Sequence, residues 1–284
     1  MCAMQACAHN RSAKSKPTPA DESGGASLPQ QSASIGPVSV NDSTARALEK
    51  DSKFHVALDI GHSPKTAGAA GADGTMEYEF NRRIVHLIAA DLNRQEGIAA
   101  MVINDEGKEI SLARRSLLAN ERKADLFLAI HHDSVNDKYL VRHKVGDRVL
   151  YECDKFHGYS VFFSRKNPKQ DDSFAFAKSL GAAMRDEGLS PTAHHAEKIP
   201  GENRELVVPE LGVYRFDNLV VLKTATMPAA LLECGVIVNP SEEAELKGNE
   251  RQQKTVEAVR KAVLAMARSK TAASAAESSA TENR

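Results

Sequence analysis

Phe54-His55-Val56-Ala57-Leu58-Asp59-Ile60-Gly61-His62 runs mostly apolar to Ile60 and then passes, through a glycine, to a histidine. A short apolar run closed by a glycine predicts a buried strand over 54–60 that delivers His62 to a loop. In open α/β sheets ligands bind in the crevice beyond the strand ends. His62 is therefore a candidate for chemistry.

Downstream, the glycine-rich stretch Ser63–Thr75 predicts a loop. A helix begins near Glu77–Glu79, with Phe80, Ile84, Leu87, Ile88 and Leu92 at helical spacing and Gly97 as a stop. Ile98–Ile103 predicts a second strand and Ser111–Lys123 a second helix. Asp125–Ile130 predicts a third strand, ending at His131-His132-Asp133. Residues 134–157 are polar and read as an inserted loop or hairpin. Tyr159–Phe163 predicts a strand and Ser173–Glu187 a helix stopped by Gly188. Residues 189–216, with His194 and His195, form a long connection. Leu219–Leu222 and Ala229–Glu233 read as the last strands, and Glu250–Met266 as the closing helix. Strands separated by helices imply a single three-layer α/β/α domain with a mostly parallel sheet.

The chain has 284 residues, but both ends are low in large apolar residues. Residues 1–50 read as a disordered linker or tether, 51–268 as the folded domain, and 269–284 as a disordered tail. A net charge of -1 offers no electrostatic case for nucleic acid or an anionic membrane. The four cysteines, Cys2, Cys7, Cys153 and Cys234, form no CxxC pair, which argues against a zinc ribbon or a disulfide scaffold. Cys234 reads as core filler. No apolar run reaches the roughly 20 residues of a membrane span, and Met1–Cys7, which has no apolar h-region, is not expected to act as a secretory signal. Met4-Gln5-Ala6-Cys7 ahead of a polar stretch leaves a membrane tether through Cys7 as one reading.

Candidate reactive residues recur at strand ends or at the start of the next helix: His62, Glu77, Glu79, His131 and Glu233. In a parallel sheet these positions lie along one edge and can converge. Two imidazoles and a carboxylate make a three-ligand zinc site with a position left for water, whose pKa the metal lowers to about 7. A further acid is then needed to move the proton to a leaving group. Glu233 suits that task, because a carboxylate after Ala229-Ala230-Leu231-Leu232 is costly to bury without a role or a partner.

Four stretches, in order, resemble the zinc-dependent N-acetylmuramoyl-L-alanine amidases of bacterial cell-wall turnover. These are Asp59-Ile60-Gly61-His62; Glu79-Phe80-Asn81; Arg115–Asn120 running into Ala124–His131; and Met227–Gly235 with Asn239. The resemblance covers roughly Phe54 to Met266. It implies one zinc ion held by His62, Glu79 and His131, with Glu233 as the catalytic acid–base. It takes Glu79 over Glu77 because Asn81 follows two residues later, and His131 over His132 because His131 follows the strand's last aliphatic residue. It implies cleavage of the amide joining N-acetylmuramic acid to L-alanine, with peptidoglycan or muropeptides as the partner. It gives Arg115 and Asn120 structural roles or places behind the ligands, sets His132 behind the ligands or toward the substrate, and leaves His194 and His195 as surface loop residues.

Ser63, Val236 and the pair His132-Asp133 depart from the family pattern and bear on substrate detail. A helix follows 159–163 almost at once, so no self-blocking insert is expected there. The competing readings are a zinc carboxypeptidase-like hydrolase and a non-catalytic cell-wall binding protein. The substrate's location implies the periplasm or the outer membrane, with a protein activator left open.

Overall fold

β1 (Phe54–Ile60) is buried along nearly its whole length, as expected of a strand covered on both faces. The computed structural model describes residues 53–282. The expected linker over 1–50, with Cys7, lies outside the described residues. After β1 come α1 (Glu77–Leu92), β2 (Ile98–Ile103), α2 (Leu112–Glu121) and β3 (Leu126–Asp133). A hairpin of β4 (Val141–Val145) and β5 (Arg148–Glu152) precedes β6 (Ser160–Phe163) and α3 (Gln170–Asp186). The chain then forms β7 (Glu205–Val208), β8 (Val213–Arg215) and the short α4 (Val220–Lys223). It closes with β9 (Ala229–Val236), α5 (Pro240–Lys247) and α6 (Asn249–Glu282).

Seven strands form one mixed sheet in the order β2-β1-β3-β9-β6-β8-β7. Four of its six pairings are parallel, and only β6 with β9 and β7 with β8 run antiparallel. Alternation along the strands divides the core in two. Leu58, Leu128, Leu232 and Val161 face a cluster completed by Ile84 and Ile88 of α1, Phe176 and Leu180 of α3, and Val259 of α6. Ala57, Phe127, Leu231 and Phe162 face the opposite cluster, covered by Ala119 of α2 and by Val221 and Leu222 of α4. The expected three-layer α/β/α arrangement is what forms.

Three expectations change. Leu219–Leu222 does not form a strand. β6 and β8 lie on the far side of β9, and this apolar run instead makes one helical turn over the second cluster. Asn167 fastens the segment that follows, its side-chain amide donating to the carbonyls of Leu222, Ala225 and Met227. The 189–216 connection contributes two sheet strands, β7 and β8, each too short to announce itself by periodicity. Composition from 269 onward reads as disordered, but α6 continues to Glu282.

Candidate active site

β1, β3 and β9 lie side by side and parallel, so their C-terminal ends open on the same rim of the sheet. Gly61 N–H donates to the Ile130 carbonyl and carries the ladder one residue past β1. The chain then turns sharply at His62, whose φ of 67° lies in the left-handed region. In β3, His131 pairs in register with Glu233 of β9. Paired residues on neighbouring strands project to the same face, so Glu233 lies beside His131 on the side of the second cluster. Glu233 is buried, and its other neighbour in register is Ser160 of β6.

Glu77, in the first turn of α1, completes the group. Its Oε2 lies 3.0 Å from His62 Nε2 and its Oε1 3.0 Å from His131 Nδ1. The Ala69 amide donates to Oε2 and the Asn81 amide group to Oε1. Burial works against the Glu77 charge, yet the imidazoles of His62 and His131 hold its carboxyl well below the usual range. Two glycines make room for these side chains. A Cβ on Gly61 would lie 2.5 Å from the His131 ring, and one on Gly68 would lie 2.3 Å from Glu77 Oε2.

Glu79, expected as the third ligand, does not join this group. It is exposed and lines a small cavity with Phe80, Arg83, His132 and Arg251. Two residues on an α-helix are separated by about 200°, so Glu77 and Glu79 face opposite ways. Asn81 is four residues from Glu77, on the same helical face. Its amide donates to Glu77 and to the Gly61 carbonyl, and its Oδ1 meets His132 Nδ1 at 2.7 Å. Asn81 therefore marks the glutamate four residues before it. His132, expected behind the ligands or toward the substrate, is buried against Asn81, and burial pulls its imidazole down to about 3, which keeps it neutral.

Residues 56–265 match the family described as N-acetylmuramoyl-L-alanine amidase. The chain belongs to this family. Membership makes it an enzyme, an amidase of cell-wall peptidoglycan. The amidase is 27% identical over 250 residues to AmiA of Escherichia coli K12, covering 78% of this chain and 79% of the relative. In fold it resembles an N-acetylmuramoyl-L-alanine amidase from Clostridium difficile 630, with a TM-score of 0.60 at 22% identity over 75% of this chain and 96% of that one. It also resembles the CwlD amidase of Clostridioides difficile, solved in complex with the GerS lipoprotein. There the TM-score is 0.53 at 19% identity, over 75% of this chain and 98% of the other.

Beside the three-residue group the amidase has a cleft lined by His62, His131, Leu112, Leu219, Val221 and Leu231. Its polar wall is held by Arg115 of α2. The Arg115 guanidinium donates to Asp59 Oδ1 at 2.9 Å, to the Ile60 carbonyl, and to the His62 carbonyl at 2.6 Å. This fork fixes the backbone that aims His62. Burial pushes the Asp59 carboxyl up, against the pull of Arg115. Removing one partner of a buried pair strands the other charge, at a cost of about 3–5 kcal/mol. Arg115→Leu should lower unfolding stability by that amount in urea titration. Arg114→Leu, which removes an exposed pair with Glu121, should cost less than about 1 kcal/mol. Equal effects would remove Arg115 from this role. Asn120 is structural as expected, tying the turn before β9 through the Thr224 carbonyl and the Thr226 amide.

His194 and His195, expected on the surface, are buried. The connection carrying them folds back onto the sheet, where the His195 ring packs against Phe162 and Tyr214. Their partners, Asp133 and Glu202, are distant or unremarkable in sequence, so no local pattern announced them. Among the described residues two groups could hold a metal: His62 with Glu77 and His131, and Asp133 with His194 and His195.

Proposed function

We propose that His62, Glu77 and His131 hold one zinc ion and that Glu233 is the acid–base for cleavage between N-acetylmuramic acid and L-alanine. The donor set fits the metal. Two imidazole nitrogens and a carboxylate oxygen lie within 4.8 Å of one another, and Glu77 has no solvent exposure. A fully buried carboxylate between two imidazoles calls for a positive partner, which a divalent ion supplies. When bound, zinc supplies Lewis acidity toward a carbonyl and toward water.

This chain's own residues supply the rest. Glu233 accepts a proton from the attacking water and delivers it to the alanine nitrogen as the C–N bond breaks. The products are a lactyl carboxylate and a free peptide amine. Glu233, buried beside His131, stands next to the group it must serve when it carries the proton between these steps. Asn81 and Arg115 orient, respectively, Glu77 and the turn carrying His62. The apolar side of the cleft, with Leu112, Leu219 and Val221, shields the scissile amide from bulk water. The register pairing of His131 with Glu233, next to a converged His62 and Glu77, is the observation that carries this reading.

Peptidoglycan lies outside the cytoplasm, so we place the proposed activity in the periplasm or at the outer membrane. None of the described helices is long and apolar enough to cross a membrane. Digestion of purified cell wall with and without chelator, read by mass spectrometry, tests the reaction. Intact stem peptides with free L-alanine amines should appear only without chelator. Shortened peptides would instead indicate a carboxypeptidase, and chelator-insensitive release would remove the metal.

A further inference from the structure

The second histidine group is built like a metal centre. Asp133 Oδ2 lies 2.6 Å from His195 Nε2 and 3.2 Å from His194 Nε2. Both rings thus turn the same nitrogen toward one carboxylate oxygen. Each is held from behind: His195 Nδ1 meets Glu202 Oε2 at 3.0 Å, and His194 Nδ1 meets Thr192 Oγ1 at 2.9 Å. Orienting a metal-binding imidazole through its other nitrogen is the usual arrangement around bound ions. His194 Nε2 is buried and, despite its nearness to Asp133, makes no hydrogen bond among the described residues. A buried polar atom left so is costly and calls for an explanation such as an ion.

Charge points the same way. Asp133 and Glu202 are both buried carboxylates. The His194 and His195 rings stand between them, centroids 3.9 Å apart and tilted by 40°. A divalent cation held by Asp133 and the two rings would offset the buried carboxylates.

We propose that Asp133, His194 and His195 form a second divalent-metal site, oriented by Glu202 and Thr192, that pins the 189–216 segment to the end of β3. The donor set of two nitrogens and one oxygen suits zinc and its first-row neighbours. The site lies two residues along β3 from His131 but shares no ligand with the first group, so it stands or falls independently of the proposed reaction.

The test is metal stoichiometry on the full chain. Protein is loaded with excess Zn2+, desalted and counted by elemental analysis, with circular dichroism as the check on folding. Wild type should retain two equivalents, and His62→Ala and His195→Ala one each. The double variant should retain none. In the His62→Ala background, Co2+ should give a visible d–d spectrum that His194→Ala abolishes. Glu202→Gln, which keeps all three donors, should weaken Zn2+ binding at this site by about 10–100-fold. Asp133→Asn, close in shape, replaces His195→Ala in the count if the latter fails to fold. A wild type that retains one equivalent, lost with His62→Ala but kept with His195→Ala, overturns the second site and leaves the first. Two equivalents that survive His195→Ala or Asp133→Asn also overturn it.

Discussion

Glu233→Gln is expected to leave the fold and metal content intact while lowering turnover of purified muropeptides by about 10²–10⁴-fold, the usual contribution of a positioned acid–base. The replacement keeps the shape of a side chain buried against β3 and β6 and removes only its ability to carry a proton. His62, Glu77 and His131 sit on other elements, so Zn2+ content should match wild type. Turnover within about threefold of wild type would take Glu233 out of the chemistry. Loss of zinc together with activity would recast it as part of the metal site.

Glu77→Gln and Glu79→Gln should separate sharply, although only two residues apart. Removing even an outer partner of a metal ligand weakens affinity by about 10–100-fold, so losing the carboxylate between His62 and His131 should cost at least that. A protein that holds metal at a thousand times its dissociation constant gains about 4 kcal/mol from binding. Glu77→Gln should therefore also lose at least about 1.4–2.7 kcal/mol of the stabilisation that zinc at this group provides. Glu79 is exposed on the opposite side of α1, and its replacement should stay within about 0.5 kcal/mol. The measurement is the zinc dissociation constant of each variant by competition with a chromophoric chelator. A larger effect from Glu79 would reverse the assignment.

The catalytic framework was legible because it rests on long apolar runs. The strands carrying His62, His131 and Glu233, and the helix beginning at Glu77, announce themselves by burial and period. What failed was finer. Glu77 and Glu79 look equivalent until the helix rotation separates them, and Asn81 pairs with Glu77 only when counted in turns of helix. β7 and β8, of four and three residues, carry too little pattern to be distinguished from loop. Leu219–Leu222 is apolar enough for either state, and the sheet position it would need is filled by β6. His194 and His195 were misjudged because their burial depends on Asp133, some sixty residues away.

The rim where β3 ends and β6 begins has a use beyond catalysis. The stretch from 134 to 159, hairpin included, leaves the sheet at Asp133, in register with Val236 of β9, and returns at Ser160, in register with Glu233. Its return is anchored to the body by Cys153 N–H on the Val238 carbonyl and Gly158 N–H on Glu242. Such an excursion can be swapped as a cassette, longer or shorter, without reordering a strand.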